Sequence, residues 1–345
     1  MKTWGAHLAV LAGLLALGLT LPAYHATNLA RILVLAVFAT GYNLAFGTTG
    51  LLSLGHALFF AAGLYAAALG ATLAALPAGP GLVAGLAAGA TAAFLTGLLA
   101  LRTSGAAFMI VTLMFAQAGY LTVLYFGAVT RGDEGFVLPA ALRTLGPLNL
   151  AADTPRFLVA FALFAAALLA SLALTRSATG RVLGPLDLAA DTPRFLAAFA
   201  LYAAALLATL ALTGSATGRV LVAVRENPER TRMLGYDPFR YRLLALTASG
   251  ALSGLAGAAY AQLFGYAGAT FASTQYSILP LLWVLLGGPG TALGPLLGTA
   301  IMFYLVDLGS SATRSHLLVV GVALLALVLF APRGILGSLA TRDRP

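Results

Sequence analysis

Residues 219–242, RVLVAVRENPERTRMLGYDPFRYR, hold nine of the chain's 29 charged residues: Arg219, Arg225, Glu226, Glu229, Arg230, Arg232, Asp237, Arg240 and Arg242. The runs on either side, Phe195–Leu212 and Leu243–Phe264, carry no charge at all. Uninterrupted apolar runs of roughly 17 to 25 residues are what a helix needs to cross the hydrocarbon core of a bilayer. A polar island between two such runs reads as a connector outside the membrane, the place where a soluble partner docks.

Composition agrees. At 61% hydrophobic, 8% charged and mean hydropathy +0.96, the 345-residue chain lies far from the roughly 25% charged content of soluble domains. The fold class is therefore all-α: a polytopic helical bundle of about ten spanning segments, residues 1–345 forming a single transmembrane domain. The 39 glycines suit helices that pack closely in lipid. The absence of cysteine removes disulfides, thiolate metal sites and Cys nucleophiles. The net charge of +9 sits at the ends of apolar runs, as membrane topology predicts, so nucleic acid is not the partner. Lys2 is the single lysine. The glycine-rich segment Gly287 to Gly298 lacks the Lys-Ser/Thr that grips a nucleotide, so the chain carries no cofactor and any ATP is used by partner subunits.

Spanning candidates run over Ala6–Leu21, Asn28–Phe46, Ala57–Leu76, Gly81–Leu101, Gly105–Phe126, Phe157–Leu174, Phe195–Leu212, Leu243–Phe264, a shorter Tyr276–Leu286, Ala292–Leu308 and Leu317–Phe330. Gly127–Arg156, with Arg131, Asp133, Glu134, Arg143 and Asp153, is an exposed loop. The first run follows Lys2 without a clear cleavage site and is expected to be a retained helix.

Residues 146–183 recur as 184–221 with five mismatches in 38 positions. Two units are fewer than a repeat architecture needs, so this is a tandem duplication that adds one extra helix. With the second copy removed and the amino terminus cytoplasmic, the connector faces the cytosol and twelve basic residues lie inside against five outside, in keeping with the positive-inside rule. If both copies span, the count inverts to six inside and thirteen outside. We therefore expect one copy not to span as an ordinary core helix.

Within the connector, Asn227-Pro228-Glu229 has the chemistry of a helix start: an N-cap, a proline at the first helical position and a carboxylate near the positive dipole end. Gly235 supplies a left-handed stop. The expected helix, Pro228–Leu234, offers Met233 and Leu234 as apolar knobs among charges. Asp237-Pro238 repeats the start signal for the next helix.

Here the chain resembles the permease subunits of ATP-driven branched-chain amino acid importers, the type paired with a second, different permease. The family's cytoplasmic loop, Gly-Arg-x-x-x-Ala-x-Arg-Glu-Asn followed by Leu-Gly and a basic lead into the next helix, is similar to Gly218, Arg219, Ala223, Arg225, Glu226, Asn227, Leu234, Gly235, Tyr241 and Leu243 to Ala245. Three further segments agree: Asn43 to Ala57 with Phe60 to Tyr65; Ile110 to Leu113 with Thr130 to Gly135; Gly287 to Gly298 with Pro332-Arg333-Gly334. The family pattern has one helix before the loop, where the duplication supplies two.

The resemblance implies that residues 219–242 form the cytoplasmic coupling loop, in which Arg225, Glu226, Asn227, Glu229, Arg230, Arg232, Met233, Leu234 and Gly235 fit a cleft in a separate ATPase. It implies as partners a second permease subunit, two ATP-hydrolysing subunits, an extracytoplasmic substrate-binding protein and the lipid of a bacterial or archaeal inner membrane.

Polar residues inside the apolar runs are costly and mark a path or a contact. Asn43, Ser53, His56, Gln117 and Gln262 are candidates to line a translocation path, against the bland alternative of interhelical hydrogen bonding. The glycines before His56 allow a bent or re-entrant backbone, and Asp307, near the end of its run, is expected at the interface. Gly250, Gly254 and Ala258, with Ser253, Gly257 and Ala261 one step round, have the spacing of close helix contacts. A protease built on Ser249 or Ser253 lacks a nearby base in sequence, and no metal motif occurs. The rival to the importer is a secondary transporter of small amino acids or amides, which needs intramembrane ionisable groups for ion coupling.

Overall fold

The structure is a computed structural model that describes residues 2–138, 144–145, 186–187, 191–312, 321 and 334–340. The expected helices Phe157–Leu174 and Leu317–Phe330 lie outside the described residues, apart from Gly321 in the latter. So do the first repeat copy, Arg143, Asp153, and Pro332 and Arg333.

The described chain is helical almost throughout: α1 (Lys2–Thr20), α2 (Ala23–Asn43) running into a π-turn (Leu44–Thr48), α3 (His56–Ala74), α4 (Ala78–Ala100), α5 (Ala106–Tyr125), a short α6 (Gly127–Thr130), α7 (Asp191–Gly214), α8 (Ala216–Glu226), α9 (Pro228–Met233), α10 (Pro238–Phe264), α11 (Thr274–Gly287), α12 (Gly294–Ala312) and α13 (Gly334–Ala340). Among the described residues six helices are long and apolar enough to cross a membrane: Tyr24–Thr48, His56–Ala74, Ala78–Ala100, Ala106–Tyr125, Asp191–Gly214 and Pro238–Phe264. His7–Thr20, Thr274–Gly287 and Gly294–Ser310 are shorter apolar helices. The chain is an all-α, multi-pass membrane bundle, as composition and run length imply.

α10 is the central post, packed against α4, α3 and α2. Its two rows of small residues are what bring those helices in. A Cβ at Gly254 would lie 2.7 Å from Gly89 Cα and also against the carbonyl of Gly85 on α4. On the other row, a Cβ at Gly257 would lie 2.9 Å from the Leu64 nitrogen of α3. Without such contacts lipid would not be expelled, because tails are as apolar as leucine and only close packing favours helix over lipid.

Toward one end of α2, Phe38 and Phe60, both fully buried, join Tyr260, Phe271 and Tyr276 in an aromatic cluster; Phe38 and Phe60 centroids are 4.9 Å apart, Tyr260 and Phe271 4.8 Å. Offset and tilted rings at such spacings add to plain burial. Just past the carboxyl end of α10, β1 (Phe136–Val137) pairs antiparallel with β4 (Tyr266–Ala267). The guanidinium of Arg31 lies 5.2 Å from the Phe264 ring, and Tyr24 donates to the exposed carboxylate of Asp307 at 3.2 Å.

The duplication leaves a specific mark. β2 (Thr144–Leu145), just before the first copy, pairs antiparallel with β3 (Leu186–Asp187), at the start of the second. The chain therefore returns, after residues 146–185, beside the point it left. The second copy then supplies α7, which packs along α2 with Phe195, Phe199, Tyr202 and Leu206 buried, and whose Asp191 accepts from Thr27 at 2.9 Å.

Candidate coupling site

The connector opens on a helix that begins three residues before Arg219, where its charge pattern starts. Ser215 Oγ accepts from Gly218 N at 3.2 Å and caps α8, an amphipathic helix that buries Leu221 and Val224. Ser215 carried the N-cap signal for this helix, but the charge pattern alone, which begins at Arg219, does not mark it.

α9 follows with the expected start. Asn227 Oδ1 accepts from Arg230 N at 2.9 Å, and Pro228 occupies the first turn. The helix ends one residue before the expected Leu234, and Gly235 turns the chain with φ +88°. Thr231 is buried, so this side of the short helix faces the bundle, and its hydroxyl donates to the Asn227 carbonyl at 2.8 Å. On its outer side Met233 is 84% and Leu234 70% exposed, with Glu226, Glu229, Arg230 and Arg232 exposed around them. Asp237 caps α10 by accepting from Phe239 N at 3.0 Å and pairs with Arg240 at 3.2 Å.

Arg225 does something different from its neighbours. Its guanidinium turns back to the bundle and donates to the main-chain oxygen of Gly47 in the π-turn. That turn is in contact with a third segment, because the Asn43 carboxamide before it accepts from Gly290 N at 2.8 Å and donates to the Thr291 carbonyl at 2.9 Å. Three segments far apart in sequence, the connector, the end of α2 and the Gly288–Thr291 turn, thus meet in one hydrogen-bonded node.

Beyond the node the backbone is not helical from Gly50 to Gly55. Irregular backbone at membrane depth survives only where protein satisfies it, and here hydroxyls do so. Thr112 on α5 accepts from Leu54 N at 3.0 Å, Ser53 from Gly55 N at 3.2 Å, and Ser277 on α11 from Ala57 N at 3.0 Å. His56, wholly buried, hydrogen-bonds through Nε2 to Ser249 on α10 at 2.8 Å, with the Tyr42 ring 4.6 Å away.

The residues expected along a path are therefore spread over four places. Asn43 sits in the node; Ser53 and His56 sit in the helix break, tied to neighbouring helices. Gln117 accepts from Thr274 at 2.8 Å on the exposed α5 surface, and Gln262 is buried near the far end of α10 beside Gly81. Among the described residues no three His, Asp or Glu side chains gather as a metal group would. The site ties the connector to two turns that end helices: Arg225 reaches Gly47 by a charge-assisted hydrogen bond, and Asn43 reaches Gly290 and Thr291 by neutral ones.

Comparison with known proteins bears on what this arrangement serves. The family described as "Branched-chain amino acid transport system / permease component" matches residues 24–331. Two relatives, the high-affinity branched-chain amino acid transport system permease protein LivM of Salmonella typhimurium (strain LT2) and that of Escherichia coli (strain K12), are each 28% identical over 114 residues, 33% of this chain and 27% of the relative. The chain thus spans about a quarter of the length of those relatives in the matched segment. No solved structure matches. With the family matching from α2 to beyond the node, the chain belongs to the permease-component family of branched-chain amino acid transport systems.

Proposed function

We propose that the chain is the permease subunit of an ATP-binding-cassette importer for branched-chain or related amino acids. In this reading Met233 and Leu234 seat in a cleft of a separate ATP-hydrolysing subunit. The carrying observation is that pair of side chains, 84% and 70% exposed on a capped helix and ringed by charge. Apolar knobs with a charged rim mark a protein contact rather than a solvated loop.

Closure of the ATPases then pulls α9; the Arg225 link carries the pull to Gly47, and Asn43 passes it to the Gly290 turn and so to α11 and α12. The aromatic cluster around Phe38 and Phe60 is the barrier that this motion relaxes. A second permease subunit completes the path, two ATPases drive it, and an extracytoplasmic binding protein delivers the solute. The connector faces the cytosol of a bacterial or archaeal cell, the arrangement the positive-inside rule favours. The side-by-side ends of the first repeat copy support a chain in which that copy adds no net crossing, which keeps the amino terminus and the connector on one side.

Ion-coupled transport is the weaker reading. Among the described residues no Asp, Glu or Arg is fully buried, and the buried His56 is tied to Ser249 at 2.8 Å, whereas ion coupling needs ionisable groups near the midplane. The test is uptake by the reconstituted permeases and ATPases carrying Met233→Asp with Leu234→Asp. Two charges in the cleft cost several kcal/mol of docking, so uptake falls more than about tenfold with membrane insertion intact. Unchanged uptake rejects the docking role.

A further inference from the structure

A cavity of about 150 Å³ opens at the connector end of the bundle, between Thr49–Leu52, the turn joining α4 to α5, and the first turns of α10. Arg242 is the one charged residue among its described lining; Thr49, Thr103 and Ser104 bring hydroxyls, Leu52 and Phe108 an apolar wall. The Arg242 Nε is buried without a hydrogen-bond partner. Asp237, the acid nearest to it in sequence, is already paired with Arg240 at 3.2 Å. Arg242 as a whole is half-buried, so its guanidinium presents one buried, unpartnered N–H to the cavity with no counter-charge among the described lining, and an anion there would satisfy it.

The same cavity receives the start of α5. Gly105 is its N-cap, at φ +59° and ψ −132°, and no side chain accepts from the first amides of the helix. Those amides and the dipole behind them attract negative charge independently of the arginine. Arg102, exposed on the adjoining turn, adds a second positive charge at the mouth. The volume, equal to about five water molecules, admits a phosphate group.

A third feature separates a lipid from a free ion. From the cavity α5 runs on with a large, unpartnered apolar face: Ile110 is 54% exposed, Met114 65% and Leu121 53%. A headgroup held at Arg242 would lay its acyl chains along this face. Basic pockets between spanning helices at a membrane surface bind anionic headgroups in this manner.

We propose that the cavity holds the phosphate of an anionic phospholipid from the leaflet on the connector side, gripped by Arg242 and the first amides of α5. The site is independent of the transport reading, because it is read out by binding alone.

Native mass spectrometry of the purified full-length chain, given palmitoyl-oleoyl phosphatidylglycerol or phosphatidylcholine, tests it. Wild type should retain phosphatidylglycerol over phosphatidylcholine, and Arg242→Gln should lower that retention about tenfold, the effect of losing one charge-assisted contact. Arg102→Gln removes a charge from the same edge but not from the lining, and should keep most of the preference. Arg242→Lys, which keeps the charge and loses the fork, should fall between wild type and Gln, and serves if the Gln variant does not fold. Equal retention by Arg242→Gln and wild type, or equal losses in Arg102→Gln and Arg242→Gln, would overturn the site. Stabilisation of wild type by millimolar inorganic phosphate, with no phosphatidylglycerol retained, would overturn the lipid as its occupant.

Discussion

The guanidinium of Arg225 donates to the main-chain oxygen of Gly47, 178 residues earlier in the chain. The contact joins the outermost polar segment to a turn that ends a buried helix, and it does so through the backbone, so only the arginine side chain is free to vary. A hydrogen bond from a charged donor contributes about 1.5–3 kcal/mol, enough to hold the two segments together through a conformational change.

Arg225→Ala should therefore uncouple the machine more than it unfolds it. ATP hydrolysis by the assembled complex should stay within about twofold of wild type while uptake drops roughly tenfold, the equivalent of losing one such bond. Parallel assays of phosphate release and solute accumulation check this, and Arg225→Lys should recover only part, since lysine lacks the guanidinium fork. Equal losses of both activities would mean that Arg225 only holds the subunit together.

Asn43 is the second link, and it uses both ends of its carboxamide on the Gly290–Thr291 backbone. Asn43→Asp keeps the acceptor for Gly290 N and loses the donor, placing a carboxylate against the Thr291 carbonyl; Asn43→Ala loses both bonds. At about 0.5–1.5 kcal/mol per neutral bond, the Ala variant should lose about 1–3 kcal/mol and the Asp variant at least as much. Thermal unfolding in detergent measures both; an Asp variant as stable as wild type would show that the amide is not clamping the turn.

Gly254 tests the central post. Its Cα hydrogen faces the α4 backbone, with Gly89 Cα 2.7 Å from where a Cβ would be. Overpacking costs about 1–3 kcal/mol, so Gly254→Ala should lower the midpoint of unfolding by several degrees and Gly254→Leu should abolish stable insertion. Gly5, with nothing within 4 Å of its Cβ position, is the matched control and should tolerate alanine.

The repeat makes a prediction by deletion. Because Thr144–Leu145 already lies beside Leu186–Asp187, removing residues 146–183 shortens an excursion whose ends meet, and joins Leu145 to Gly184 without moving α5 or α7. The shortened chain should insert with the same orientation of α8 and α10 and should retain transport to within about twofold, since closing a shorter loop changes folding free energy by under about 1 kcal/mol. An inverted connector in the deletion would show that the first copy crosses the membrane.

Much of the bundle was legible because run length and local chemistry are printed in the chain. Asn227, Pro228 and Gly235 mark the start and stop of α9, Asp237 marks the start of α10, and the small residues of α10 announce the helices packed on it. The node was not legible. Asn43, Arg225 and Gly290 each lay in a segment that attracted notice, but nothing in spacing says that a side chain at position 225 meets a carbonyl at 47. Nor does any local signal tell two nearly identical copies apart; only the neighbours of α7, chiefly α2, identify the second copy as a bundle helix. The break from Gly50 to Gly55 was legible as irregular backbone, and its satisfaction by Thr112 and Ser277 from other helices was not.

The orientation of the connector decides the account most directly. The chain has no cysteine, so Met233→Cys gives a single reporter on the exposed tip of α9 with no background. A membrane-impermeant maleimide added to intact cells should leave this cysteine unlabelled, and should label it fully once the membrane is opened. Labelling from outside in sealed cells would put the arginine-rich tip beyond the reach of any cytosolic ATPase and would contradict the account.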